Sequence, residues 1–355
     1  MKKERPLPSV LFVGDHPRVY WIGSSTLYIQ QNLPEAVSLL EPKRNIILFV
    51  PHQRRKIISF LAGTLRRSSH NGYETLSGGI VSLLVHMIVH RYNVIHFFVI
   101  RNYMAWIILM AKLIKTKTIV TLHDTLFLQE PSNTMTHAVK MLMLKMSDRV
   151  LLLSHHDMDR CSAQKKPDRF RIVRNGISTV TTVTNVNHTN TALFGGGIGN
   201  EHAGLKFLES ALSTLKLQSE LEIYGTNTTD AAHRSYRGMV DRKDFHDAMR
   251  RSRITVVPSR YESFSMTALE SLSLGIPVIV SDQCGISRYL SDEKDCLMVR
   301  YGDVDGLREK IQRLLTDDEL WSRLSRNGAV TARNFLWKNV APEYVAVYDE
   351  LLEKM

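Results

Sequence analysis

Residues 256–282 read VVPSRYESFSMTALESLSLGIPVIVSD, an order of residue types that dictates strand, loop, helix, strand. A β-branched run ends at Pro258. Tyr261-Glu262-Ser263-Phe264-Ser265 follows as a tight loop. A helix carrying Glu270 comes next, and Gly275 supplies the left-handed residue that closes many helices. Pro277 opens the next buried strand. Seven residues separate Glu262 from Glu270, so Glu262 belongs to the loop and Glu270 lies about two turns into the helix. Carboxylates accept hydrogen bonds from hydroxyls. The unpaired amides at the helix start, around Ser265 and Met266, can hold a phosphate. Hydroxyl-gripping acids on either side of a phosphate-binding helix end describe a nucleotide-sugar site.

The same alternation extends in both directions. Toward the N-terminus, Ser9–Asp15, Asn45–Pro51, Asn93–Ile100, Lys117–Leu122 and Arg149–Ser154 read as buried strands. Helix-length segments separate them at Thr26–Leu40, His52–Arg67, Ser77–His90, Tyr103–Ile114 and Thr134–Met146. A turn at Asn175-Gly176 and a Thr/Asn-rich stretch, Ser178–Thr191, read as a connection. Alternation then resumes with strands at Ala192–Gly196, Leu221–Tyr224, Ile254–Pro258, Pro277–Ser281 and Cys296–Val299. Strands alternating with helices predict parallel sheets covered on both faces. The expected class is α/β, with two doubly wound Rossmann-like domains, 1–177 and 178–334, facing a central cleft. A closing helix over about 335–355 should cross back to the first domain. In such sheets, ligands bind beyond the carboxyl ends of the strands.

Composition agrees with a globular chain. It has 355 residues, 44% apolar and 23% charged, which excludes disordered and collagen-like classes. Three scattered cysteines, Cys161, Cys284 and Cys296, fit buried thiols in a reducing compartment better than a disulfide framework. Pro6 and Pro8 interrupt any secretory apolar core near the start, and no window reaches about 18 apolar residues. The expected location is therefore cytoplasmic, with possible peripheral contact at the inner face of the cytoplasmic membrane.

The net charge of +11 is uneven. Residues 1–178 hold 25 basic and 11 acidic side chains, whereas residues 179–355 hold 21 and 24. The first half is thus suited to an anionic partner. Its densest basic segment, residues 52–67 (HQRRKIISFLAGTLRR), would form a short basic amphipathic helix fit for an anionic membrane surface. No helix-turn-helix, zinc spacing or aromatic-basic RNA motif supports nucleic acid as a partner. His155-His156-Asp157-Met158-Asp159 leaves a D-x-D or His/Asp metal reading open, against that of a surface helix. The expectation is no metal and no cofactor.

The 256–282 segment resembles the E-x7-E region of retaining glycosyltransferases of family 4, which have the GT-B fold. Asn93–Phe97, Thr121-Leu122-His123-Asp124, Val173–Ile177 and Ser281–Val299 match further pieces of that family's pattern in order. The resemblance implies transfer of a sugar from a UDP- or GDP-type donor to a lipid-linked or other glycan acceptor, in surface polysaccharide or glycolipid synthesis. It implies ribose contacts from Glu270 and sugar contacts from Glu262. It further implies diphosphate contacts from amides at Phe264, Ser265 and Met266, a glycine loop at Gly23, and a cleft role for His123. The family's usual arginine and lysine after the first strand of the second domain are replaced near Gly197 and His202. Arg260, Lys206 and His202 are then the candidate phosphate contacts. That replacement also supports an alternative: a catalytically silent GT-B protein that binds sugar nucleotide or assists a partner transferase.

Overall fold

The computed structural model describes residues 9–14, 25–42, 44–51, 64–70, 72–125, 128, 134–161, 167–181, 189–195, 201–213, 220–225, 236–238 and 240–353. Eight strands form the first sheet: β1 (Val10–Val13), β2 (Ile46–Pro51), β3 (Arg66–His70), β4 (Tyr73–Gly78), β5 (Val94–Phe97), β6 (Lys117–Thr121), β7 (Arg149–Leu152) and β8 (Phe170–Ile172). Their order is β3-β4-β2-β1-β5-β6-β7-β8. Only β3 runs antiparallel, against β4. All four residues of β1 are fully buried, as a central strand covered on both faces requires. The helices of this half are α1 (Ser25–Leu40), α2 (Ile80–His90), α3 (Met104–Leu113), α4 (Met135–Met146) and α5 (His155–Cys161).

A second, wholly parallel sheet has the order β11-β10-β9-β12-β13-β14. Its strands are β9 (Thr189–Gly195), β10 (Glu220–Tyr224), β11 (Tyr236–Gly238), β12 (Ser252–Val257), β13 (Val278–Ser281) and β14 (Leu297–Val299). Its helices are α6 (Leu205–Leu212), α7 (Arg242–Arg251), α8 (Met266–Ser273), α9 (Val304–Thr316) and α10 (Asp318–Ala332). The winding reverses between β9 and β12. The loop leaving β12, which carries Glu262, therefore sits at the switch point where such sheets bind ligands.

The last helix, α11 (Trp337–Glu353), joins the halves. It packs along α1 and buries Tyr344 and Tyr348 completely. The Tyr348 hydroxyl meets His96 Nδ1 at 2.9 Å, and His96 Nε2 meets Thr121 Oγ1 at 2.7 Å. Burial drives the His96 pKa to about 3, so this ring is a neutral link in the core. Ile177 N–H donates to Phe335 O at 2.8 Å, and Trp337 N–H returns a bond to Ile177 O at 3.0 Å. A Cβ on Gly176 would lie 2.4 Å from the Trp337 ring, which explains the glycine at this turn. Glu350 accepts from Arg149 at 2.9 Å and from Arg171 at 2.6 Å.

Two expectations need correction. The helix read over 52–67 ends instead in β3, which takes Arg66 and Arg67; residues 52–63 lie outside the described set. The helix read over Ser77–His90 begins only at Ile80, because Tyr73–Gly78 forms β4. Gly72, at φ +82°, turns the chain between the two strands, a conformation that glycine adopts freely. Hairpin pairing with β3 and parallel pairing with β2 outweigh local helical spacing here. Cys161, Cys284 and Cys296 are buried and unpaired.

The Arg171 and Arg149 bonds hold the Glu350 pKa at about 2, against an ordinary 4.5. This stabilisation is complete above about pH 4.5 and is lost as pH falls toward 2. Glu350→Ala should lower stability by about 1–2 kcal/mol at neutral pH. Urea titrations of both proteins should converge across that acid window.

Candidate active site

The loop between β12 and α8 is shaped by contacts at its backbone. Gly285 N–H donates to Glu262 O at 2.8 Å, and Ile286 N–H donates to Phe264 O at 2.7 Å. A Cβ on Gly285 would lie 1.9 Å from Ser263 O, so only glycine permits this approach. The Phe264 side chain is 2% exposed and packs edge-on to Phe335 and tilted against Tyr289. It anchors the loop from below. Ser265 then starts α8 with φ +83° and ψ 91°, and its hydroxyl accepts from Ala268 N–H at 3.3 Å. The first amides of α8, beginning at Met266, precede any intrahelical acceptor, as at every helix start. The helix dipole makes this end favourable for an anion.

The two glutamates differ in environment. Glu262 accepts from the Ser259 hydroxyl at 3.3 Å and lies 3.9 Å from Cys284 Sγ. Burial pushes its pKa up to about 7, against the opposing effect of the Ser265 and Ser259 hydroxyls. Burial also holds the Cys284 thiol well above its ordinary value, so the neighbouring sulfur adds no charge. Glu270 is 5% exposed. Its Oε1 accepts from Arg242 Nη2 at 2.5 Å, and its Oε2 meets His246 Nε2 at 2.8 Å. Arg242 and His246 stand one turn apart on α7 and so reach the same carboxylate. All three residues line a pocket of about 370 Å³ beside Ile177–Thr179, the start of the connection between the halves. The sequence reading assigned Glu270 alone and missed these partners. The i, i+4 spacing of Arg242 and His246 was visible, but not the helix they would face.

A hydroxyl cluster ties the loop to the first half. Tyr261 Oη accepts from Thr125 N–H at 2.8 Å and lies 2.6 Å from Ser263 Oγ. Asp157 Oδ1 accepts from Thr125 Oγ1 at 2.7 Å and from Tyr261 and Ser263, each at 3.3 Å. The Arg160 guanidinium lies over the Tyr261 ring, 4.4 Å from its centroid. Burial raises the pKa of Asp157. Asp157 thus serves a hydroxyl network on a short helix. Among the described residues, no group of three or more His, Cys, Asp or Glu side chains is placed to hold a metal.

His123 follows β6, two residues before Thr125, and so adjoins the Tyr261–Glu262 loop. Its ring is hydrogen-bonded to the Phe98 backbone, whereas Nε2 is buried with no partner among the described residues. Burial lowers its pKa to about 4. At neutral pH, a proton on Nδ1 leaves the Nε2 lone pair as an acceptor. His202 is also brought to the loop, where its carbonyl accepts from Arg260 N–H at 2.8 Å and Tyr261 N–H at 3.4 Å. A Cβ on Gly204 would lie 2.0 Å from Pro258 O, which permits that docking. Lys206, near the start of α6, and Arg260 are exposed. Gly23 and Gly197 lie outside the described residues.

Residues 214–331 match the family described as glycosyl transferases group 1. An uncharacterized glycosyltransferase of Methanocaldococcus jannaschii is 27% identical over 214 residues, covering 58% of this chain and 60% of that protein. The N,N'-diacetylbacillosaminyl-diphospho-undecaprenol alpha-1,3-N-acetylgalactosaminyltransferase of Campylobacter jejuni is 30% identical over 114 residues, covering 32% of this chain and 29% of that protein. The chain thus spans about three fifths of the first relative's length and less of the second. Among solved structures, sucrose-phosphate synthase of Thermosynechococcus elongatus superposes with a TM-score of 0.75 at 17% identity, covering 98% of this chain and all of that one (100%). Anabaena HepE, solved with UDP and glucose, superposes with a TM-score of 0.74 at 13% identity, covering 97% and 100%. The fold is GT-B, and the second half carries the group 1 glycosyltransferase pattern.

Ser265 holds a backbone conformation that disfavours L side chains by about 1–2 kcal/mol, whereas exchanging a serine cap for glycine costs only a few tenths. Ser265→Gly should therefore raise stability by about 1 kcal/mol, measured by denaturant unfolding.

Proposed function

We propose that the chain transfers a sugar from a nucleoside-diphosphate sugar, of UDP or GDP type, to an acceptor hydroxyl with retention of anomeric configuration, as family 4 enzymes do. The observation that carries this reading is the pair of carboxylates flanking the capped start of α8. Glu270, fixed from α7 by Arg242 and His246, retains lone pairs for the ribose hydroxyls. Glu262 faces the transferred sugar, and His123 Nε2 accepts from one of its hydroxyls. The amides at Phe264, Ser265 and Met266 receive the diphosphate. As the glycosidic bond breaks, negative charge grows on the leaving diphosphate while the sugar gains oxocarbenium character. The α8 dipole and the cations Arg260 and Lys206 stabilise that charge, with His202 as a further phosphate contact. No metal or cofactor enters the proposal. The first half holds the acceptor and the second the donor, on either side of residues 177–178.

The proposed acceptor is a lipid-linked glycan at the cytoplasmic membrane face, in glycolipid or surface-polysaccharide synthesis. The basic first half and the diphospho-undecaprenol in the Campylobacter relative's name support this choice. The basic segment 52–67 is part of it only as a sequence expectation, because most of that segment lies outside the described residues.

The test is a panel of nucleotide sugars, scored for donor-dependent release of nucleoside diphosphate. One donor should turn over, and Glu270→Ala should raise its KM by roughly ten- to a hundredfold, the equivalent of one charge-assisted hydrogen bond or slightly more. Binding without turnover, even with membrane extract as acceptor source, would sink the enzymatic reading in favour of the silent one.

A second prediction concerns pH. With the Glu262 carboxyl near pH 7, kcat/KM should follow an ionisation at about 7. Glu262→Gln should remove that ionisation from the pH profile. For stability the sign is opposite to that of Glu350. The unfolded chain releases this proton near pH 4.5 and the folded chain near 7. Stability should therefore fall with rising pH across that window, and the Gln variant should lack the decline.

A further inference from the structure

Three neighbouring helices of the first half are apolar on their outer faces as well as their inner ones. On α2, Ile80, Leu83 and Met87 are buried, yet Val81, Val85, Ile88 and Val89 are 52%, 56%, 47% and 69% exposed. On α3, Met104, Ile107, Ile108 and Ala111 face the core, whereas Trp106, Leu109 and Leu113 are 66%, 44% and 76% exposed. On α4, Met135 and Met141 are exposed. On α2 and α3 the outer residues repeat at helical spacing and form a stripe along each helix. Helix α3 contacts both α2 and α4, which merges the stripes into one face. Right-handed crossovers set this face opposite α1 and α11. An apolar patch of this extent marks an interaction surface.

Charge indicates what the surface meets. Helices α2, α3 and α4 contain no Asp or Glu, and residues 75–147 hold seven Lys or Arg against only Asp124 and Glu130. Asp124 is paired with Lys140. Exposed cations stand at or just beyond the C-terminal ends of all three helices: Arg91, Lys115 and Lys145. Each of these helices starts near the cleft, beyond the carboxyl end of a strand, and runs away from it. Trp106, Val81 and Met135 therefore lie toward the cleft rim and the cations lie at the far border. Apolar stripes with an exposed Trp, a cationic border and no carboxylates of their own fit the headgroup region of an anionic bilayer. No helix among the described residues is long and apolar enough to cross a membrane.

We infer that the α2–α3–α4 face docks the protein on an anionic lipid surface, inserting Val85, Trp106 and Leu109 among the headgroups and setting the cleft rim at the membrane. This inference stands on the surface alone and does not require the proposed transferase activity.

The test is cosedimentation of the full chain with phosphatidylcholine vesicles, with or without phosphatidylglycerol. The chain should partition onto the anionic vesicles, more weakly onto neutral ones, and less at high salt. Val85→Glu/Trp106→Glu/Leu109→Glu should lower partitioning at least about tenfold, with Tm unchanged. Arg91→Gln/Lys115→Gln/Lys145→Gln should lower it on anionic vesicles only. Two results would overturn the inference. One is equal vesicle binding by the triple Glu variant. The other is a wild type that fails to bind vesicles but self-associates through this face, as a monomeric triple Glu variant would reveal.

Discussion

Two backbone hydrogen bonds, from Gly285 and Ile286 to the carbonyls of Glu262 and Phe264, hold the loop on which the candidate site depends. They fix its path between β12 and α8 without using a side chain. Phe264 is thereby free to fill the core beneath, and Glu262 is held partly buried beside Ser259. The same constraint delivers the chain to Ser265 at positive φ, where its hydroxyl caps α8. The strain at Ser265 and the missing Cβ at Gly285 both follow from placing a helix start at the switch point of the second sheet.

Electrostatics separate the roles of these groups. Glu270, although little exposed, has both carboxylate oxygens engaged, one by Arg242 and one by His246. Among the described residues, hydroxyls and a thiol lie near Glu262, and burial lifts it toward neutrality. His123 is pushed the other way and stays an uncharged acceptor. The loop carrying Glu262 is joined to the first half through Tyr261 and the buried Asp157 cluster. A shift between the halves would therefore be felt directly at Glu262, which links domain closure to the candidate chemistry.

Much of this was legible in the residues. Buried parallel strands carry continuous apolar runs, so β1, β2, β5, β12 and β13 were found nearly to their ends. Gly275 and Pro277 marked the end of α8 and the strand after it. The hairpin of β3 and β4 was missed because its polar, half-exposed strands resemble helix flanks and gain their structure from pairing, β3 with β4 and β4 with β2. The partners of Glu270 and the Tyr261–Asp157 cluster were missed for a related reason. They join residues 24 to 136 positions apart, and no local spacing encodes such contacts. The apolar outer faces of α2 and α3 were hidden too, because a sequence shows that a helix is apolar but not which of its faces is covered.

The account's central claim is that a nucleotide sugar lies along the start of α8. The most direct measurement is a crystal structure of the chain with its donor nucleoside diphosphate. The account predicts ribose hydroxyls within hydrogen-bond distance of Glu270 and phosphate oxygens at the amides of residues 264–266. A nucleotide bound elsewhere, with the Glu270 carboxylate still shared by Arg242 and His246 alone, would contradict it.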